Sequence, residues 1–242
     1  MHFDQAAYDL KCEWGEEGLS ALQPHSNAVV IVDVLSFSTA VDIAVARGAS
    51  VFPYRWKDES AARFAAERGA ILAQPRSAAG QYTLSPASLR SIPPRSSLVL
   101  PSPNGSTLSL GATGVPVFTA CPRNAPAVAA HALKCGPRIS VIPAGERWHD
   151  NSLRPCLEDL IGAGAVLAEL PGTRSPEVEI AIAAFARFRG RLAEALSSCG
   201  SGKELIASGF SDDVDLAAEY AVSAAAPKLI DERFVNPART PG

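Results

Sequence analysis

Five short polar clusters stand where apolar runs end, and their residue types could handle a phosphorylated anion. In the first, Asp33 closes an apolar run and is followed by Ser36, Ser38 and Thr39. Its carboxylate could hold a metal, and the hydroxyls could cap a helix or touch phosphate. In the second, Asn104-Gly105-Ser106-Thr107, the glycine lets backbone approach a ligand closely and Ser106 offers a hydroxyl donor. The third, Arg123-Asn124, supplies a guanidinium fork suited to phosphate or sulfonate. The fourth is Gly145-Glu146-Arg147, and the fifth is the carboxylate pair Glu158-Asp159 at the head of a glycine-containing apolar segment. Carboxylate oxygens are hard ligands that suit Mg²⁺. Each cluster also has a plainer account. Ser38 and Thr39 can be caps, Asn104-Gly105 a turn, Arg123 a surface side chain, and Glu158-Asp159 a complement to a helix dipole. Their shared placement at strand ends is the stronger argument, because strand ends and the following helix N-termini converge on one crevice in α/β sheets.

Other phosphate chemistries fail on spacing. A dehalogenase-type phosphatase needs a second Asp two residues after the first, and position 35 is Leu35. A cysteine phosphatase needs Arg six positions beyond its Cys, and Cys121 places Ala127 there. Gly200-Ser201-Gly202-Lys203 resembles the end of a phosphate-binding loop, but Ser197 replaces the earlier glycine and Glu204 the hydroxyl residue. It reads as a turn. There is no GxSxG elbow, and His2, His25, His131 and His149 show no metal-ligand spacing.

The elements that must position these clusters follow from periodicity. Apolar, β-branched runs at 28–34, 50–54, 97–100, 115–119 and 138–143 predict strands. Ala-rich segments at 39–47, 57–68 and 124–134 have helical spacing. Near-continuous apolar strands alternating with helices predict an α/β sheet covered on both faces. From 157 the texture becomes helical, at 157–170, 177–189, 192–198 and 212–220, with a short late strand at 228–231. Residues 75–97, rich in Ser, Pro and Arg, read as a long surface loop of functional length, and 236–242 as a loose tail. No linker divides the chain, so residues 1–242 are expected to form one domain.

Bulk composition narrows the function. Apolar residues make up 47% and charged residues 19%, with a net charge of −3. That excludes a disordered chain, and no basic tract suggests a nucleic-acid partner. An anionic substrate must therefore find a local positive site. No apolar run reaches membrane-spanning length, and no basic region precedes an apolar stretch as in a secretory leader. Five scattered cysteines without a CxxC pair fit reduced thiols in a cytoplasmic protein. A homo-oligomer is left open.

The ordered succession VDVLSFST, SPNGST, CPRNA, PAGERW, LEDLIGAGA and SGKELIASGFSDDVDLAAEYAVSAAAPKLID resembles the 2-phosphosulfolactate phosphatase family across residues 28–231. The resemblance implies a three-layer α/β/α fold with a mixed sheet. It also implies Mg²⁺-dependent hydrolysis of 2-phosphosulfolactate to 3-sulfolactate and phosphate, a step in coenzyme M biosynthesis. Asp33, Asn104, Gly105, Arg123, Asn124, Gly145, Glu158 and Asp159 match the family pattern, and with the strand-end clusters they lead to the expectation that Asp33, Arg123 and Glu158 are catalytic and that Asp33, Glu158 and Asp159 hold the metal. Ser38, Thr39, Asn104, Gly105, Ser106, Asn124 and Gly145 are the substrate-binding candidates. Three positions depart from the family pattern: Ser36 where Arg is common, Ala73-Gln74 where Gly-Glu is common, and Leu84-Ser85-Pro86 for Asn-Ser-Pro. These departures keep two further readings open: a phosphatase for another small phosphorylated hydroxy acid, and a non-catalytic binder of an anionic metabolite. Whether water or a side chain is the nucleophile is not set by the sequence.

Overall fold

Continuous apolar strands need cover on both faces, and the fold supplies it with helices. The structure, a computed structural model, describes residues 3–237, so most of the expected tail lies outside the described residues. The strands are β1 (Leu10–Cys12), β2 (Ala28–Val32), β3 (Ser50–Tyr54), β4 (Ile71–Leu72), β5 (Ser97–Pro101), β6 (Val117–Ala120), β7 (Ile139–Pro143), β8 (Glu146–Arg147), β9 (Leu153–Arg154), β10 (Lys228–Ile230) and β11 (Arg233–Val235). The helices are α1 (Gly15–Leu22), α2 (Phe37–Ala46), α3 (Glu59–Glu67), α4 (Gly105–Gly111), α5 (Ala125–Leu133), α6 (Leu157–Leu167), α7 (Pro176–Phe188), α8 (Leu192–Ser198), α9 (Gly200–Ala207) and α10 (Ser211–Ala217).

Nine strands form one mixed sheet in the order β1-β7-β2-β6-β10-β11-β3-β5-β4. The groups β1-β7-β2-β6 and β3-β5-β4 are parallel within themselves. The β10–β11 hairpin joins them through antiparallel pairs, Lys228 beside Phe118 and Phe234 beside Val51. Side-chain alternation builds the layers. Val30 and Val32 of β2 pack with Val128 of α5 and Ile161 of α6. Val29 and Ile31 face the other way, against Leu22 of α1 and Leu108 of α4. In the second group, Val51 and Leu98 pack on α2, while Phe52 and Val99 pack on α3. The fold is α/β, with helices on both faces of a mixed sheet.

Two expectations are corrected. Gly200-Ser201-Gly202-Lys203 opens helix α9 instead of forming a turn. The Cys199 thiol accepts from the Gly202 N–H at 3.4 Å, and Gly202 lies so close to the Leu196 carbonyl that no Cβ would fit. Small residues here serve close packing, which propensity alone misreads as loop. The 75–97 segment is not merely a surface loop. It contains a 3₁₀ turn at Pro86–Ser91, and its Leu89 and Ile92 are fully buried in the cluster beneath α2.

Helix α6 carries the expected carboxylate pair, and Gly164 sets its distance from α7. A Cβ on Gly164 would overlap the Ala181 backbone and lie 2.9 Å from Phe185 Cβ. Gly164→Ala is therefore expected to cost about 1–3 kcal/mol in urea unfolding, the usual range for overpacking. Wild-type stability would show that the two helices separate freely at this point.

Candidate active site

The turn after β2 is built around Asp33. Its Oδ1 accepts from the Phe37 N–H at 3.3 Å, and its Oδ2 accepts from the Gly105 N–H at 2.9 Å. The carboxylate thus ties the first turns of α2 and α4 together. Gly105 has no room for a side chain: a Cβ would run into the Phe37 ring and stand 2.8 Å from Asp33 Oδ2. Asp159 does similar work one helix away. Its Oδ1 accepts from Val34 N–H at 2.7 Å and its Oδ2 from Gly145 N–H at 2.8 Å. Gly145 has φ +66°, the left-handed region where glycine is at ease, and lets β7 turn toward that carboxylate.

A cleft of about 270 Å³ opens beside Asp33. Asp33 and Glu146 bring negative charge to it, with the Asn104 amide Nδ2 donating to Glu146 Oε2 at 2.9 Å. Lys57, Arg76 and Arg147 bring positive charge to the same walls. Arg76 is held in place by its Nε, which donates to Asp213 at 3.2 Å, and by its Nη2, which donates to the Ser36 hydroxyl. Asp213 is buried and also accepts from the Ser85 hydroxyl and the Ala87 N–H. A net-negative protein thereby presents a local site that suits an anion. Burial, reinforced by the negative charge of Glu146, pushes the Asp33 carboxyl up to about 7, against the pull of its two N–H donors. Burial likewise raises Asp159, with the charges of Asp33 and Glu158 adding to it.

Of the expected site residues, the cleft gathers Asp33 and Asn104, with Gly105 reaching Asp33 through its N–H. The others are placed elsewhere. Ser38 Oγ lies 2.7 Å from Thr119 Oγ1 and receives the Asp33 N–H, and Thr39 donates to the Val34 carbonyl at 2.7 Å. Both hydroxyls are fully buried and brace the turn, so neither faces a ligand. Ser106 receives the Tyr54 N–H at 3.1 Å, and Asn124 receives that of Cys121 at 2.9 Å. Gly145 contributes its N–H to Asp159, not to the cleft.

Arg123 is the largest departure from expectation. Its guanidinium donates to Asp42 at 2.8 Å, to the Leu216 carbonyl at 3.2 Å and to Glu219, and it does not line the cleft. Glu158 and Asp159 are buried and also off the cleft wall. Among the described residues, no three Asp, Glu, His or Cys side chains are placed to enclose a metal ion. The expected set of Asp33, Glu158 and Asp159 is therefore not assembled as a cage. Mg²⁺ commonly takes one or two carboxylates and completes its shell with water and substrate oxygens. Asp33 and Glu146, both on the cleft, fit that mode.

Sequence reasoning missed Lys57 and Arg76 as site residues. Arg76 lay in a segment marked as functional by its length alone, and Lys57 carried no signal. The cysteines offer no alternative nucleophile here, since none lines the cleft; burial pushes the Cys121 thiol up to about 12.

The sequence profile of the family described as 2-phosphosulpholactate phosphatase matches residues 17–232 of the 242. The chain belongs to that family. The match starts within α1, ends beyond β10 and takes in every cleft residue named above. A search of curated proteins finds no match. Membership in the 2-phosphosulpholactate phosphatase family identifies a phosphatase-type chain, a phosphoric monoester hydrolase at family level. No helix among its described residues is long and apolar enough to cross a membrane.

Proposed function

We propose that this chain hydrolyses 2-phosphosulfolactate to 3-sulfolactate and phosphate, with Mg²⁺, in the cytoplasm. The observation that carries this reading is the cleft itself. It gathers two carboxylates, Asp33 and Glu146, and three cations, Lys57, Arg76 and Arg147. The carboxylates suit a divalent cation and the cations suit a multiply charged small acid. Asp33 and Glu146 would hold the ion, with Asn104 fixing the Glu146 carboxylate. The chemistry such an ion supplies is neutralisation of charge at the phosphoryl oxygens. The chain's own part is orientation. Arg76 is anchored by Asp213 and Ser36, so it can meet an anionic group without losing much side-chain freedom on binding. Lys57 and Arg147 add charge at the cleft walls.

A second reading, a phosphatase for another small phosphorylated hydroxy acid, draws on a specific observation. Ser36 and Leu84, two of the positions that depart from the family pattern, both line the cleft. A panel of phosphorylated hydroxy acids assayed for phosphate release, with Mg²⁺ and with chelator, separates the two. Release from 2-phosphosulfolactate above the other esters is expected. Release only from other esters would replace the first reading with the second. Removal of Mg²⁺ is expected to abolish turnover. By calorimetry, Asp33→Asn and Glu146→Gln should each weaken Mg²⁺ binding about tenfold or more. Full turnover in chelator would refute the metal assignment.

A further inference from the structure

The cleft does not end at its basic wall. A second recess of about 580 Å³ lies on the far side of Lys57 and Arg76 and shares these two residues, Leu84 and Pro101 with the cleft. Its own lining is mainly aliphatic: Ala61 of α3, Leu72 of β4, Ala73 and Pro75. Asp58 and Glu59 also line it, and their charges balance those of Lys57 and Arg76, so the recess offers no excess positive charge to a further anion. A ligand whose charged groups occupy the cleft would find the aliphatic part of this lining, Leu84, Leu72 and Ala61, just beyond Arg76. Two departures from the family pattern, Gln74 and Leu84, lie in this recess.

We propose that this recess is a second substrate subsite, taking an uncharged, largely aliphatic extension of a phosphorylated acid whose anionic end lies in the Asp33 cleft. The inference rests on the second phosphatase reading, for another small phosphorylated hydroxy acid, and narrows that substrate class. Phosphate and carboxylate groups meet the Asp33 and Arg76 side, and the hydrocarbon tail runs past Leu84 onto Leu72 and Ala61. Leu84 spans the two spaces and supplies the apolar surface on which the tail turns. Burying methylene groups there favours longer chains, whereas a closed cleft would reject them.

The test is a homologous series of O-phosphorylated 2-hydroxy acids, from propanoate through pentanoate to hexanoate. Each is assayed with Mg²⁺ for phosphate release and, separately, for binding by calorimetry. Wild-type protein is expected to gain about tenfold in affinity or kcat/KM from propanoate to pentanoate, as two buried methylenes predict. Glu59→Trp places a large ring in the recess from an exposed position on α3, where folding is not at risk. It should erase that preference. If no ester of the series is hydrolysed, that second phosphatase reading falls. A chain-length gain in affinity that Glu59→Trp removes would still establish the subsite. Equal affinities and rates across the series, or a preference that Glu59→Trp leaves intact, would overturn it.

Discussion

Arg123→Ala is expected to cost about 3–5 kcal/mol of folding stability, the scale for breaking a buried ion pair from one side. Asp42 is fully buried on α2, accepts from the Ser223 hydroxyl at 2.6 Å and has its charged partner in Arg123 at 2.8 Å. Burial pushes the Asp42 carboxyl up, and the Ser223 hydroxyl and Arg123 hold it back down. Without the guanidinium, a carboxylate would sit in the core with one hydroxyl donor. Arg123 also holds the Leu216 carbonyl and Glu219, while the Pro122 and Arg123 carbonyls accept from the N–H groups of Ala221 and Ser223. The residue therefore fastens the chain after α10 to α2. Urea unfolding should show the loss, and kcat/KM per folded molecule should change by less than about threefold. Asp42→Asn paired with Arg123→Met should recover much of the stability, because a buried pair removed from both sides is far less costly. A variant of normal stability with a tenfold higher KM would return Arg123 to the anion-binding role that its place between a strand and a helix suggested.

The second large effect is expected at Asp33. Asp33→Asn should lower phosphate release by roughly 10²–10³-fold, the scale on which a single electrostatic group at a reacting centre acts. The amide keeps one acceptor oxygen, so it can still receive Gly105 or Phe37, and its NH₂ then faces the other N–H group. Some stability is lost with the second hydrogen bond, about 1–3 kcal/mol. Circular dichroism and a thermal melt would separate that loss from the catalytic one. Turnover equal to wild type in a folded variant would leave Asp33 only as the tie between α2 and α4. Asp159→Asn makes a useful contrast. Both Asp159 oxygens are committed to backbone N–H groups, and the residue does not line the cleft, so its loss should act through the positions of Val34 and Gly145.

The sheet's parallel strands were legible because β2, β3, β5, β6 and β7 are largely buried and appear as near-continuous apolar runs. β10 and β11 have three residues each, and what makes them strands is the pairing with β6 and β3. The segment 228–231 was legible as a short late strand and is β10, but β11 was not, and local pattern cannot report the pairing that places either of them. The same distinction divides the site. Asp33 and Asn104 are polar residues directly beyond apolar strands, and that interruption marked them. Arg123 has the same local setting, yet its partner Asp42 lies 81 positions away on a helix that faces it. Spacing cannot tell a guanidinium aimed at a cleft from one aimed at a buried acid. Arg76 is the converse. It owes its place to Asp213, 137 positions later, and to a segment whose anchors, Leu89 and Ile92, are hidden in an otherwise polar stretch.

The position of the β10–β11 hairpin in the sheet has a consequence for how the chain is made. Synthesis runs from the N-terminus, so the strands of both parallel groups leave the ribosome well before residues 228–235. Until then, β6 and β3 are edge strands with open hydrogen-bonding groups and apolar faces, the kind of surface on which other chains add. The nascent protein must keep two sticky half-sheets from finding wrong partners, and the last strands to emerge are the ones that cover both edges at once. Residues nearly 200 positions beyond Asp33, which never touch the cleft, thus decide whether its two sides are joined in one sheet.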